Sequence, residues 1–589
     1  MASSKISMGE YLWRRIASLG IEHAFGVPGD FNLTLLDEIY KVPELSWLGT
    51  CNELNGAYAA DGYARIAGRP AALLTTYGVG ELSAMNGVAG AYAEQAGMIH
   101  LVGMTSRPQQ TMKALIHHTM EPGMDHSIYI GMSEPVRKTH TFLWDDAIMA
   151  EEIDRVIIAG VKSRLPVFIY IPMDVVQVQL DASRLETPLD TTIENDRAVE
   201  NKVVQSILEA IKSAKNPVVL ADVLTTRHGG RELARELVEI TNYQSFSTPL
   251  SKGIIDEDHP SYGGLYNGSV SFPGVAEAVE SSDLVLNLGP LLSDSNTGGF
   301  SRAVKDENLI FLGHAYCQIR EKTYENIHFL PVLKRIVEEL KKEPKIYNIP
   351  STHSKDKIQP PVLSSITSGK IVQSYCWQRL GKFLQPNDIV LAESGTAQFG
   401  MPDATFPKNT RYITQIFWSS IGYTVGATLG ALVAQKELKL PGRVVLIVGE
   451  GSLQMTVQEL GSYIRFGFHP IIFVINNNGY SIERAINGPT QRYNEVSMLW
   501  DHQKMLELFG AREETGRKSK SWKVESVEEM EKALGEMRKE EGTINLCEIV
   551  MEEFDYPWRL NAQLVVGRAK AKVLAGSFSA KPPGVLKPN

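Results

Sequence analysis

The chain is poor in cysteine and lacks both a basic excess and any long apolar run. Its four cysteines among 589 residues have neither CxxC nor His-linked spacing, which argues against a disulfide framework or a structural zinc site. Lys+Arg number 59 against 68 Asp+Glu, so a nucleic-acid-binding surface is not indicated. The apolar runs at 444–448 and 471–475 are too short to cross a bilayer, and no signal peptide is evident. We therefore expect a cytoplasmic protein without a nucleic-acid or membrane partner.

Short apolar runs alternate with longer amphipathic segments along the chain, a pattern typical of βαβ units in mainly parallel sheets. Ser7 and Glu10 form a candidate capping box ahead of the first helix. The polar stretch 180–200 and the segment 343–370, rich in Pro, Ser, Lys and Asp, are predicted linkers. The fold class is therefore α/β, with three domains that are each a mainly parallel sheet flanked by helices. The predicted units are 1–185, 198–345, 370–565 and a C-terminal tail at 566–589.

Two short segments near residue 460 carry the strongest chemical signal. The segment 449–452 (Gly-Glu-Gly-Ser) follows one predicted strand, and 476–479 (Asn-Asn-Asn-Gly) follows the next. Parallel strands bring such segments to one edge of the sheet, where α/β proteins bind ligands. The glycines let the backbone approach a phosphate, and a helix beginning near Ser452 favours an anion. Glu450 and Asn477 supply hard oxygen donors suited to Mg²⁺. Each segment alone could be an ordinary turn, but together they predict a site for a diphosphate and a metal.

This region resembles the thiamine diphosphate motif, which begins Gly-Asp-Gly and ends Asn-Asn. The segment 51–65 resembles the one that carries the cofactor-activating glutamate in that family. The segment 25–32 (Phe-Gly-Val-Pro-Gly-Asp-Phe-Asn), the pair His117-His118 and the segment 479–483 narrow the resemblance to pyruvate decarboxylases and their indolepyruvate and phenylpyruvate relatives. The resemblance implies thiamine diphosphate and Mg²⁺ as cofactors. It also implies a pyrimidine-binding domain, a Rossmann-like middle domain and a diphosphate-binding domain.

The resemblance implies non-oxidative decarboxylation of a pyruvate-like 2-oxo acid to an aldehyde and CO₂ through a thiamine diphosphate ylide and enamine. Glu53 would hydrogen-bond N1′ of the aminopyrimidine ring. A proton-transfer cluster around the substrate would comprise Asp30, His117, His118 and Glu483. Two other enzyme activities stay open, namely an arylpyruvate decarboxylase and an acyloin-forming carboligase.

The resemblance also assigns residues to the cofactor, the metal and the substrate. The cofactor contacts would be Pro28, Glu53, Val79, Thr396, Ser419, Ile421, Glu450, Gly451, Ser452, Asn477, Gly479, Tyr480 and Ile482. The metal ligands would be Glu450, Asn477 and Gly479. The substrate pocket would be lined by Ser295, Ser394, Gln398, Ile482 and Ile486. The two bulky isoleucines favour small 2-oxo acids, whereas Ser295 stands where pyruvate-specific relatives have an aromatic residue and would open space.

One position departs from the family pattern, since Glu450 stands where the family has Asp. The extra methylene lengthens the reach of the carboxylate, while octahedral Mg²⁺ tolerates little distortion. We therefore expect a metal dependence that is retained but weaker. The same departure leaves open, more remotely, a cofactor-poor structural or regulatory paralogue. The resemblance further implies a homodimer or homotetramer with sites at the subunit interface.

Overall fold

The computed structural model describes residues 5–348, 358, 365–496, 499–540 and 542–577. The N-terminal domain contains a six-stranded sheet of order β3-β2-β4-β5-β7-β6 in which every pair is parallel. The strands, including the antiparallel pair β1 and β8, are β1 Lys5–Ser7, β2 His23–Gly26, β3 Ser46–Gly49, β4 Ala71–Thr76, β5 Met98–Met104, β6 Thr139–Phe142, β7 Val167–Pro172 and β8 Gln179–Asp181. The helices are α1 Met8–Ala17, α2 Leu33–Ile39, α3 Glu53–Ala67, α4 Val79–Ala93, α5 Arg107–Thr111, α6 Ile128–Met132 and α7 Met149–Ser163.

The middle domain has a seven-stranded sheet of order β11-β10-β9-β12-β13-β14-β15, parallel except for its last two strands. The strands are β9 Pro217–Ala221, β10 Gln244–Ser247, β11 Tyr262–Leu265, β12 Leu284–Leu288, β13 Leu309–Leu312, β14 Tyr316–Ile319 and β15 Lys322–Glu325. The helices are α8 Arg197–Ser213, α9 Val223–Arg227, α10 Arg231–Thr241, α11 Val275–Glu280, α12 Phe329–Lys342 and α13 Pro344–Tyr347.

The C-terminal domain has a six-stranded sheet of order β17-β16-β18-β19-β21-β20 in which every pair is parallel. The strands are β16 Ile389–Ala392, β17 Arg411–Ile413, β18 Val444–Gly449, β19 Ile471–Asn476, β20 Ser519–Val524 and β21 Ile544–Val550. The helices are α14 Gln373–Phe383, α15 Thr396–Gly400, α16 Tyr423–Glu437, α17 Glu450–Thr456, α18 Leu460–Phe466, α19 Ser481–Asn487, α20 Met505–Leu508, α21 Val527–Met537 and α22 Trp558–Ser577. The predicted fold class, three α/β units with mainly parallel sheets, is confirmed.

Several local predictions need adjustment. The capping box at α1 forms only in half, because Ser7 accepts the N–H of Glu10 (3.2 Å) while the Glu10 carboxylate pairs with Arg14 (2.6 Å). The segment 180–200, predicted as a linker, includes the end of β8, a 3₁₀ helix at Ala182–Glu186 and the start of α8. The helix α22 continues past residue 566, where the sequence predicts a tail; residues 578–589 lie outside the described residues. Most of the predicted linker at 343–370 also lies outside them.

The N-terminal and C-terminal domains are joined by close packing of α3 against α16. A Cβ added at Gly62 would lie 2.2 Å from the carbonyl oxygen of Ala427, and one at Gly430 would lie 1.8 Å from that of Ala59. Only glycine allows backbones to approach so closely. Both helices are buried in one apolar cluster that spans the two domains. Within the described residues, no helix is long and apolar enough to cross a membrane.

A network of neutral histidines joins the N-terminal and middle domains. The Nε2–H of His228 donates to Oε1 of Gln95 (2.6 Å), and the Nε2–H of His328 donates to Nδ1 of His228 (3.2 Å). The Gln95 amide donates to Nδ1 of His314 (3.3 Å). These protonation sites follow from the hydrogen-bond pattern. Burial, reinforced by the neighbouring imidazoles, lowers the pKa of His228 to about 2 and that of His328 to about 4.

We expect this network to make the protein sensitive to acid. Below pH 6.5 the unfolded chain protonates these imidazoles while the folded chain does not, so the free energy of unfolding should fall as the pH drops towards 4. Each imidazole contributes a slope of up to about 1.4 kcal/mol per pH unit. Urea unfolding at several pH values should show a shallower fall in His328→Gln. The control His259→Gln lies outside the network, and equal slopes in wild type and His328→Gln would contradict the expectation.

Candidate active site

The carboxyl ends of three neighbouring strands, β16, β18 and β19, open into one cavity of about 500 Å³. The segments that follow these strands form much of its wall, as the parallel-strand argument predicts. Its wall includes these predicted residues: Ser295, Ser394, Thr396, Gln398, Ser419, Ile421, Glu450, Gly451, Ser452, Asn477, Gly479, Tyr480, Ile482, Glu483 and Ile486. All the predicted diphosphate, metal and substrate-pocket residues of the C-terminal domain therefore lie together, joined by Ser295 from the middle domain.

Glu450 links the two segments of the diphosphate motif. Its side chain is buried, and Oε1 accepts the backbone N–H of Gly479 at 2.6 Å. Burial raises the pKa of Glu450, while the N–H groups of Gly479 and Asn477 oppose that rise. Asn477 is also buried beside it. In the described part of the chain, no group of three His, Cys, Asp or Glu could hold a metal. Mg²⁺ here would therefore need diphosphate oxygens and water besides the Glu450, Asn477 and Gly479 oxygens.

The loop between β19 and α19 is held in a left-handed conformation. Asn478 has φ +57° and Gly479 φ +123°, and a Cβ at Gly479 would lie 2.2 Å from the carbonyl oxygen of Asn494. The buried Arg484 donates to the carbonyls of Asn477 (3.2 Å) and Asn478 (2.6 Å). Sequence reasoning missed Arg484, because an arginine one turn into a helix resembles an ordinary surface residue. Its guanidinium fixes the loop that carries the predicted metal ligands.

Glu393, at the end of β16, is a second residue that the sequence reasoning missed. It is buried in the cavity wall, and burial raises its pKa to about 7. Its carboxylate accepts the N–H of Ser394 (3.1 Å) and the N–H of Thr424 (3.0 Å). It thereby ties the end of β16 to the start of α16, which begins two residues after Ile421. No local pattern marks this role, because it depends on the contact with Thr424, 31 residues later in the chain.

The pair His117-His118 lies in the N-terminal domain with Asp30. Nε2 of His117 is 2.8 Å from Oδ2 of Asp30, and the two imidazole rings are 4.9 Å apart. Tyr77 and Tyr129 donate to the backbone carbonyls of His117 (2.9 Å) and His118 (2.7 Å). Burial, and then the neighbouring His117, lower the pKa of His118. The structure therefore holds three of the four predicted proton-transfer residues in one group.

Glu53 is the first residue of α3, whose N-cap Asn52 accepts the N–H of Asn55 (2.8 Å). Its Oε1 would lie 3.3 Å from a Cβ placed at Gly80, so the carboxylate adjoins the first turn of α4, which begins at Val79. The Val79 side chain is 56% exposed. Glu53 and Val79, both predicted to contact the cofactor, are therefore neighbours within the N-terminal domain.

These two groups of residues do not share one cavity within a single chain. The 500 Å³ cavity contains Glu483, but its described lining includes none of the N-terminal residues predicted for the site. Those residues are Pro28, Asp30, Glu53, Val79, His117 and His118. One chain therefore presents two partial sites, one in the C-terminal domain and the other in the N-terminal domain.

Comparison with known families matches all three domains. Residues 6–128 match the thiamine pyrophosphate enzyme N-terminal TPP binding domain, 204–340 the central domain, and 393–547 the C-terminal TPP binding domain. The chain belongs to the thiamine pyrophosphate enzyme family. The predicted family resemblance and the thiamine diphosphate cofactor are thereby confirmed.

Similar proteins of this thiamine pyrophosphate enzyme family come from yeasts. The chain is 43% identical to a pyruvate decarboxylase of Kluyveromyces marxianus over 95% of its own length and 98% of that protein. It is 42% identical to pyruvate decarboxylase isozyme 1 of Saccharomyces cerevisiae over the same shares. A putative pyruvate decarboxylase of Schizosaccharomyces pombe is 39% identical over 94% of this chain and 97% of that protein.

Replacing Glu450, which stands where the family has Asp, tests whether the longer carboxylate weakens metal binding. In Glu450→Asp, we expect the Mg²⁺ concentration for half-saturation to fall by about 2- to 10-fold, because the shorter carboxylate suits octahedral geometry better. Titration of Mg²⁺ at fixed thiamine diphosphate would measure this. The control Glu553→Asp changes a carboxylate that contacts Asn478 but does not line the cavity. If Glu450→Asp binds Mg²⁺ no more tightly than wild type, Glu450 does not limit metal binding.

Proposed function

We propose that this protein catalyses the thiamine diphosphate-dependent, non-oxidative decarboxylation of a pyruvate-like 2-oxo acid to an aldehyde and CO₂. The observation that carries the proposal is the group formed by Asp30, His117 and His118, because it brings together side chains that can donate a proton. The carboxylate of Glu53 lies close enough to act electrostatically on His118. Such groups suit a reaction that must deliver a proton to carbon after CO₂ leaves. The names of the yeast relatives agree with this reaction.

The cavity fits the diphosphate end of the cofactor. Ser452 and Thr396 offer hydroxyl donors, and a Cβ at Gly451 would lie 2.6 Å from the Tyr480 ring, so only glycine permits this packing. Glu450, Asn477 and the Gly479 carbonyl would hold Mg²⁺. When bound, thiamine diphosphate supplies the electron sink that CO₂ loss requires. The Glu53 carboxyl would hold a proton at N1′ of the aminopyrimidine, and Ile421 in the cavity wall would pack against the cofactor.

Proton delivery would involve both partial sites. The Asp30–His117 pair would keep its imidazole oriented, while His118, with its lowered pKa, would exchange a proton with the substrate. Glu483 in the cavity wall would face the substrate carboxylate. Because these groups would interact, their titrations should be treated as coupled.

We further propose that each site is completed by a second chain, in a homodimer or homotetramer. The two partial sites of one chain are separate, and each adjoins exposed apolar side chains. Val79 at the N-terminal partial site is 56% exposed, and Trp418 and Ile421 at the C-terminal one are each 41% exposed. Exposed apolar patches of this kind mark interaction surfaces. A cytoplasmic location stays a prediction.

The pocket composition favours a small substrate. Ile482 and Ile486 narrow the cavity, whereas Ser295 and Gln398 leave polar space. The proposed activity is tested by CO₂ release from pyruvate, branched 2-oxo acids, phenylpyruvate and indolepyruvate. We expect the highest kcat/KM for pyruvate. The arylpyruvate alternative instead predicts the highest kcat/KM for phenylpyruvate or indolepyruvate. If none of these 2-oxo acids releases CO₂ in the presence of thiamine diphosphate and Mg²⁺, the proposal is refuted.

A further inference from the structure

An arginine-lined crevice lies where the three domains meet, away from the active-site cavity. Its walls come from α3, from α9 and α10, and from β17, and its volume is about 30 Å³. By this measure a single water needs roughly 10–15 Å³, so the crevice has room for about two waters or one small ion. Its charged lining residues are Arg65, Arg227, Arg231, Lys252 and Arg411, and its described lining contains no Asp or Glu.

Two of the five cations already have carboxylate partners behind the crevice wall. Arg65 pairs with Asp61 and, at 2.8 Å, with Glu94. Lys252 pairs with Glu257 at 2.5 Å. The side chains of these two cations and of their three carboxylate partners are all buried or nearly so. Three buried carboxylates therefore stand against the five cations of the crevice, which leaves two positive charges without a buried counter-charge.

Arg231 is buried without a matching anion. Its Nη2 donates to the carbonyls of Gly253 (3.2 Å) and Thr410 (3.1 Å), while Nη1 is buried and makes no hydrogen bond in the described structure. Its one ion-pair contact among the described residues is Glu232 at 4.0 Å, whose side chain is 78% exposed. A buried guanidinium donor without a partner is costly, so a missing acceptor is indicated.

Arg235, one turn further along α10, has partners for its whole guanidinium group and can be compared with Arg231. It pairs with Asp256 at 2.8 Å and also donates to the Ile254 carbonyl (2.7 Å) and to Asn409 (3.2 Å). All three of its nitrogens have partners. Asp256, which lies beyond the end of α10, therefore balances the charge of Arg235, and no buried carboxylate forms such a pair with Arg231 among the described residues.

The other two arginines also lack carboxylates. Arg227 donates only to the Glu94 carbonyl (3.3 Å), and the Arg411 side chain makes no ion pair or hydrogen bond in the described part of the chain. The hydroxyl of Thr226, which also lines the crevice, is buried without a partner. Burial and neighbouring guanidinium groups lower the pKa of Arg231 to about 9 and that of Arg227 to about 10. The crevice therefore concentrates positive charge and unused donors.

We propose that this crevice binds one small inorganic anion, of the size of chloride. The ion would accept N–H and O–H donors from Arg231, Arg411 and Thr226 and would cancel one uncompensated charge. Because the walls belong to three domains, the bound ion would stabilise their mutual arrangement by mass action. The crevice shares no lining residue with the active-site cavity, so this site is independent of the proposed decarboxylation.

Thermal unfolding of the cofactor-loaded protein tests the proposal. Tm is measured in increasing sodium chloride against sodium gluconate at equal ionic strength, since gluconate is too large for the crevice. We expect chloride to raise Tm by about 1–3 °C and the rise to saturate. Arg411→Gln should fold normally, because the side chain makes no hydrogen bond or ion pair among the described residues, and should lose the rise. The control Arg197→Gln removes an exposed arginine of the middle domain and should keep it.

Anomalous diffraction from a bromide-soaked crystal provides the second measurement. The proposal requires a bromide peak between Arg231 and Arg411 in wild type and none in Arg411→Gln. A crevice without bromide, the absence of a chloride-specific rise in wild type, or an equal rise in Arg411→Gln would each overturn it.

Discussion

Replacing Glu53 by Gln should reduce turnover by about 100- to 10,000-fold while leaving the fold intact. The amide has nearly the same shape but cannot exchange a proton with N1′ of the cofactor. Glu53 is the first residue of α3, and the helix keeps its Asn52 cap in the variant. The measurement is kcat with saturating thiamine diphosphate and Mg²⁺, together with Tm. Turnover close to wild type would refute the role of Glu53.

A matched control for Glu53→Gln is Glu44→Gln in the same domain, which changes an exposed carboxylate without a described contact. It should leave kcat unchanged. The affinity for thiamine diphosphate should change little in Glu53→Gln, because the diphosphate residues lie in the C-terminal domain. A loss confined to kcat therefore separates an activating role from a binding role.

Replacing Glu450 by Ala should abolish saturable binding of thiamine diphosphate with Mg²⁺. The substitution removes a buried carboxylate and leaves the Gly479 N–H, now 2.6 Å from Oε1, without its acceptor. Glu450→Gln keeps an oxygen that can accept this N–H but carries no charge. If the carboxylate serves the metal, both variants should lose binding by calorimetry; if it only holds the loop, Gln should bind normally.

Mixing the two inactive chains tests whether one site requires two chains. In a heterodimer of Glu53→Gln and Glu450→Ala, one site has both substitutions and the other has neither. Random exchange of subunits should therefore restore about a quarter of wild-type activity. Activity that stays absent in verified mixed dimers would place both residues of a site on one chain.

Much of the C-terminal half of the site can be predicted from the sequence, because its residues directly follow apolar strands that are recognisable in the chain. The strands β18 and β19 are apolar runs that end in polar, glycine-containing segments, and parallel pairing forces those ends together. Glu450 and Asn477 are therefore neighbours for reasons visible in the chain. The family resemblance supplies the N-terminal half, since spacing alone does not relate Glu53 to His117.

Other features depend on tertiary contacts that no local pattern encodes. Arg484 binds carbonyls only six and seven residues before it, but the sequence does not show that its side chain is buried against this loop rather than exposed. Glu393 is important because α16 starts beside the end of β16, some 30 residues later. The network of His228, His314 and His328 joins residues from three separate segments. Burial determines the role of the residue in each case, and long-range packing does so for Glu393 and the histidines.

The most direct test of the account is to measure CO₂ and aldehyde together from pyruvate alone, with thiamine diphosphate and Mg²⁺ present. The account predicts one aldehyde for each CO₂, and no product from Glu53→Gln above its residual rate. CO₂ accompanied mainly by a 2-hydroxyketone, or no CO₂ at all from a cofactor-loaded protein, would contradict it.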